Sequence, residues 1–252
     1  MPLYVQAGLW GLLSGSALLI GAVLGWFVPL PRRVVAWVMA FGAGVLISAL
    51  SFELMDEAWA GGGLWPVAAG FFGGASIFTI LNLLLARRAR HRKRADPKLR
   101  AEHEADGAGN GAALALGALL DGIPESIVIG VSLLEGGNVG LVAVAAVFLS
   151  NLPEGLSSAA GMKAEGKSAA FVFLLWAAIA LAAGAAALIG CLAFEGLPPE
   201  AVATVQALAA GAILAMIVDT MVPEAFEGSP RFAGLISVTG FLAAFLLSKL
   251  GG

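Results

Sequence analysis

AGVLISALSFELMDEAWAG, residues 43–61, begins as an apolar run and closes on three acids, Glu53, Asp56 and Glu57. A counterpart lies 167 residues later, AGAILAMIVDTMVPEAFEG at 210–228, with Ala43/Ala210, Gly44/Gly211, Glu57/Glu224, Ala58/Ala225 and Gly61/Gly228 identical and Trp59 matched by Phe226. Between them sits a second pair, DGIPES (121–126) and SNLPEG (150–155), offset by 29. Two internal pairs at different offsets imply one architecture laid down twice, and the polar residues inside them are the first candidates for chemistry.

The rest of the chain sets the medium. Its 252 residues are 60% hydrophobic and 12% charged, with a mean hydropathy of +0.93. A soluble domain carries about 25% charged residues, so the composition excludes one and points to a polytopic membrane protein. Disorder and a collagen-like repeat are excluded as well. A net charge of −3, with most cations in one short segment, excludes a nucleic-acid partner. The single cysteine, Cys191, can form no internal disulfide.

A spanning helix needs about 20 mostly apolar residues. Stretches of that kind, separated by charge clusters or Pro/Gly pairs, predict eight helices at roughly 3–30, 34–57, 64–86, 110–134, 138–162, 169–194, 200–222 and 232–250. Long charge-free runs with weak alternation argue against an outer-membrane barrel. The amino terminus has no basic n-region, its first cation being Arg32, so the first helix reads as retained rather than cleaved. With the amino terminus outside, 13 of the 14 cations fall on the cytoplasmic side, Lys249 being the exception. The expected fold is therefore an all-α integral membrane protein, one domain over 1–252, with eight spans, both termini external and a cytoplasmic loop at 87–109. Helices two and seven are five spans apart and so oppositely oriented. Helices one to three then relate to six to eight as an inverted repeat around the antiparallel pair four and five, an arrangement common in transporters.

Helices four and five carry Asp121, Glu125 and Glu154 near their centres. Each carboxylate costs about 2.5–3.5 kcal/mol at mid-bilayer, on the order of 8–10 kcal/mol for three. No lysine or arginine lies within a span except Lys249 at the end of the last one, which leaves protonation, a water-filled cavity or a bound cation. Asp121 and Glu125 share a helical face at four-residue spacing, as do Ser150 and Glu154, with Asn151 on the same side. Pro124 and Pro153 lack an N–H and free the carbonyls of Leu120 and Leu149, adding oxygen donors beside the acids. Glu53 near the end of helix two, and Asp219 and Glu224 near the end of helix seven, extend this set into a path. The cationic half of the loop holding His91 and His103 is explained by cytoplasmic anchoring and anionic lipids, His103 with Glu102, Glu104 and Asp106 is a weaker alternative as a cytoplasmic cation-binding segment, and the tryptophans are explained by interfacial belts.

These residues resemble the ZIP (Zrt/Irt-like) metal transporters, in a bacterial-type variant: paired Pro-Glu motifs on helices four and five, eight spans, external termini and a charged loop after helix three. The resemblance covers nearly the whole chain. It implies import of a divalent metal toward the cytoplasm, zinc first, with manganese or iron close behind, as substrate and with no prosthetic group. The family motif reads His-Asn-x-Pro-Glu-Gly or close variants. Glu125 and Glu154 match its glutamates and Asn151 its asparagine, while Asp121 and Ser150 stand where histidines are usual and Gly122 replaces the other asparagine. The implied metal ligands are Asp121, Glu125, Ser150, Asn151 and Glu154, in one site rather than two, because helix six has no central acid. An oxygen-rich set suits harder cations than an imidazole set does. The expected location is a cell membrane, most simply a bacterial inner membrane. The expected partners are the metal ion and membrane lipids, and small residues such as Gly44 and Gly211 would admit a homodimer. An intramembrane protease lacks its histidine or paired aspartates here, so no enzyme is expected. A cation-coupled carrier of a small organic solute and a transport-inactive ZIP-like protein are the competing readings.

Overall fold

The computed structural model describes residues 1–28, 30–95, 122, 125–135 and 141–250. Among them the regular structure is all helical: α1 (Leu3–Phe27), α2 (Arg32–Gly62), α3 (Leu64–Ala95), α4 (125–132, tightening to a 3-10 turn at Leu133–Glu135), α5 (Leu141–Ala164), α6 (Ala169–Phe194), α7 (Pro199–Gly228) and α8 (Ala233–Leu250). Six of them, namely α1, α2, α3 over Leu64–Leu84, α6, α7 and α8, are long and apolar enough to cross a membrane. The chain is thus an all-α protein with the helices of a multi-pass membrane protein. The 24-residue α5 would reach about 36 Å at 1.5 Å per residue, against a hydrocarbon core of about 30 Å.

Several boundaries differ from the sequence expectation, each for a local reason. α1 stops at Phe27 rather than residue 30, because Pro29 and Pro31 push the residues before them out of helical geometry; Val28 is extended at φ −107°, ψ 120°. α3 continues to Ala95, so the first nine residues of the expected loop 87–109 are helix. α2 ends at Gly62 rather than 57 and turns into α3 through Gly63, whose φ of +66° disfavours any side chain. α7 likewise runs to Gly228 rather than 222, straight through Pro223.

The extra length of α2 and α7 comes with a change of winding. Leu50–Leu54 and Ile217–Met221 are single π-turns, closed by Met55 N–H to Leu50 O and by Val222 N–H to Ile217 O. They fall at equivalent places in the two related segments, 167 residues apart. A π-turn inserts one residue and re-aims everything after it. Beyond the turn, Ala58 packs among Val67, Ala203 and Ala207, while Ala225, its counterpart, is buried in the core that runs along α2 and α7.

Helix crossings repeat in the same way. A Cβ on Gly44 of α2 would lie 1.8 Å from Ser237 O of α8, and one on Gly211 of α7 would lie 1.9 Å from Phe71 O of α3. Gly240 and Gly74 make the reciprocal approaches, to Phe41 O and Leu208 O. Contacts this close between backbones require glycine, and in a bilayer such packing replaces the hydrophobic drive that lipid cannot supply. α1 lies parallel to α5, with Asn151 reaching Ser14 and Lys163 reaching Trp26, and antiparallel to α6, with Gly8 against Leu188 and Gly15 against Ala180. The helices thus gather as α1 with α5 and α6, and α2 with α3, α7 and α8, joined where α2 packs along α5.

Candidate functional site

Four of the five expected metal ligands are described; Asp121 lies outside the described residues. α4 and α5 meet where Ile129 packs on Val144 and Val147. One turn before Ile129, Glu125 is brought level with Ser150 and Asn151 on antiparallel α5, and Glu154 follows one turn beyond Ser150. Glu125 is only 1% exposed and Ser150 and Asn151 are buried, whereas Glu154 is half-buried.

Hydrogen bonds decide what each polar group can offer. Asn151 Nδ2 donates to Ser14 O of α1 at 3.2 Å, which holds the amide in one orientation and leaves Oδ1 as its donor atom for a cation. Ser150 Oγ donates to Val147 O at 2.9 Å, yet its oxygen lone pairs can still accept. Pro153 sits inside α5 and removes the N–H that would have bonded Leu149 O. That carbonyl comes within 3.4 Å of where a Cβ on Gly42 of α2 would stand, so it faces the seam between α2 and α5.

On its α2 side, Glu125 borders a small apolar space walled by Leu46, Leu50, Val128, Val147 and Ile213. Its volume of about 10 Å³ is at the lower limit for one water. The first residue of the α2 π-turn is therefore part of the wall that shuts Glu125 away. Leu46 and Ile213 are themselves equivalents at the 167-residue offset.

The expected path residues lie elsewhere. Glu53 is in the π-turn of α2, with the Ser248 hydroxyl of α8 as a hydrogen-bond partner. Asp219 is exposed in the π-turn of α7, and Glu224 is half-buried one turn further on. None of the three borders the space beside Glu125. Among the described residues, no three His, Cys, Asp or Glu side chains gather as a metal group. A cation at α4 and α5 would therefore draw on amide, hydroxyl and carbonyl oxygens as well as carboxylates. The segment around His103 lies outside the described residues. Gly44 and Gly211 are both occupied by the crossings within the chain.

Two features escaped the sequence reading. The π-turns have no local signal, because Pro223 follows one of them and Asp56 follows the other. Gln206 stands in the apolar run of α7, 1% exposed, with Nε2 donating to Glu57 Oε2 of α2 at 3.2 Å. Its residue type was legible, but a partner 149 residues away was not. The sequence matches no protein-family model and no curated protein.

Proposed function

We propose that the protein is a divalent-metal transporter of eight spans with an inverted repeat, moving zinc, or manganese or iron, toward the cytoplasm past Glu125 and Glu154. The observation that carries the reading is Glu125, a carboxylate 1% exposed inside an apolar helix bundle and level with Ser150 and Asn151. A negative group at such depth costs several kcal/mol unless something neutralises it, and the surrounding donors are all oxygen. The Pro-Glu context on both helices, and the ZIP resemblance it carries, name a metal rather than a proton as that something. The doubled π-turns and glycine crossings support an inverted repeat, whose halves can expose one site to either side in turn. The space beside Glu125, about 10 Å³, is narrow enough to fit a shut state of such a cycle.

The chemistry follows from the donors. Carboxylates supply charge, while Asn151 Oδ1, Ser150 Oγ and the Leu149 carbonyl supply neutral oxygens. This set suits manganese at least as well as zinc. Uptake into reconstituted vesicles, compared across zinc, manganese, iron, cadmium and magnesium, tests it. Glu125→Ala and Glu154→Ala are expected to reduce uptake to the protein-free background; equal uptake by wild type and both variants would remove the site. Asp121→His is expected to raise zinc over manganese, and an unchanged ratio would exclude Asp121 as a ligand.

A further inference from the structure

Each π-turn ends on a large apolar side chain. Leu54 is the last residue of the turn in α2 and Met221 the last of the turn in α7, equivalent positions at the 167-residue offset. Both are buried in the core that runs along the two helices. They stand at different places around the candidate site.

Leu54 borders the narrow space beside Glu125, as do Leu46, Leu50 and Ile213. Met221 does not. Its Cε lies 3.4 Å from where a Cβ on Gly42 would stand, a point also 3.4 Å from Leu149 O and 3.5 Å from Ser150 Cα. α2 and α7 run antiparallel, because Gly62 meets Ala203 at one end and Gly228 meets Ala36 at the other. Going along α2 from Gly42 through Leu46 and Leu50 to Leu54 therefore leads away from Met221. Ser150, the Leu149 carbonyl and Glu125 lie along that interval.

We propose that Leu54 and Met221 are the two gates of the α4 and α5 site, one toward each side of the membrane and each carried on its own π-turn. The inference rests on the transport reading above and adds how the site opens. An apolar constriction too narrow for water stops a hydrated ion, so one large side chain closes a side. A π-turn holds one residue more than the helix around it, and passing that residue along the helix turns the side chain at its end by about 100°. The gate can swing in this way while the glycine crossings at Gly44 and Gly211 keep the helices packed. In the eight-span topology Leu54 faces the outer entrance. Met221 faces the cytoplasmic exit, with Glu224 one turn beyond it.

The test reads access rather than uptake. Cys191, the single cysteine, is replaced by alanine, and Ser150→Cys at a wholly buried position serves as reporter in the full chain. A charged, membrane-impermeant methanethiosulfonate is added to right-side-out or to inside-out vesicles, without metal. Leu54→Ala should speed labelling about tenfold or more from the outer face alone, and Met221→Ala by as much from the cytoplasmic face alone. The exchange Leu54→Met with Met221→Leu keeps bulk at both places and should label as slowly as the parent. Monodisperse elution in detergent checks folding, and an alanine variant that fails is replaced by Leu54→Val or Met221→Val, with the same sides expected. Faster labelling from one common face for both variants, from both faces for either, or for neither variant would overturn the gates and reduce the two residues to core packing. Labelling needs no metal, so sided access without metal uptake would sink the transport reading alone, and uptake that needs Glu125 without sided access would sink the gates alone.

Discussion

α2 and α7 share a backbone plan and differ in what they place on it. Both cross a partner helix at a glycine, Gly44 or Gly211, and both take one π-turn two turns later. A hydroxyl bonds a carbonyl four residues back inside each turn, Ser51 to Ile47 O and Thr220 to Met216 O, but from different positions in it. Polar groups then diverge. α2 carries Glu53, Asp56 and Glu57, the last bonded to Gln206; α7 carries Gln206, Asp219, Pro223 and Glu224, with Met39 of α2 at the position equivalent to Gln206. Backbone geometry is held in common by packing, while the side chains at the two ends have been set to different tasks.

Breaking the shared crossings should do the most damage. Gly44→Leu and Gly211→Leu each drive a side chain into a backbone carbonyl, and both should lose about 3 kcal/mol or more of stability. The loss would appear as comparable falls in unfolding temperature in detergent. A free pass for either one would show that the two crossings are not equivalent.

Exchanging the divergent residues gives a middle-sized and directional effect. Met39→Gln buries an amide without a provided partner and should cost about 1–3 kcal/mol. Gln206→Met removes a buried acceptor that lacks a donor but also the hydrogen bond to Glu57, two effects of opposite sign, and should change stability by less than about 1 kcal/mol. Equal losses for both exchanges would mean that position 206 needs its amide for packing.

The smallest effect is expected at the π-turns. Proline in a helix interior costs about 3 kcal/mol. Pro223, however, follows its π-turn without ending α7, and Asp56 occupies the same place after the turn in α2. Asp56→Pro should therefore cost less than about 1 kcal/mol, whereas Ala40→Pro, a turn before Gly44, should cost the full amount. Similar losses for the two would deny that the turns are equivalent.

Much of this arrangement was legible in the sequence because membrane helices announce themselves by long apolar runs. The identities at 43–61 and 210–228 located the doubled segment to the residue. What stayed hidden was conformational or long-range. A π-turn leaves no composition mark when one copy has proline after it and the other aspartate. The ends of α2 and α7 were placed too early because acids were read as helix ends, although Asp56 and Glu57 lie inside a helix that continues to Gly62. For the candidate site, the residue types and their spacing were readable on one face. The role of α1, whose Ser14 carbonyl orients Asn151, and that of α2 in walling off Glu125 depend on tertiary contacts that no local pattern encodes.

The central claim is that Glu125 and Glu154 hold one divalent ion between α4 and α5. Anomalous diffraction from crystals grown with zinc or manganese tests it most directly. The account predicts a peak about 2.0–2.3 Å from an oxygen of each carboxylate, with Asn151 Oδ1 turned toward it. Full metal loading with both carboxylates bonded only to protein and no peak between them would contradict it.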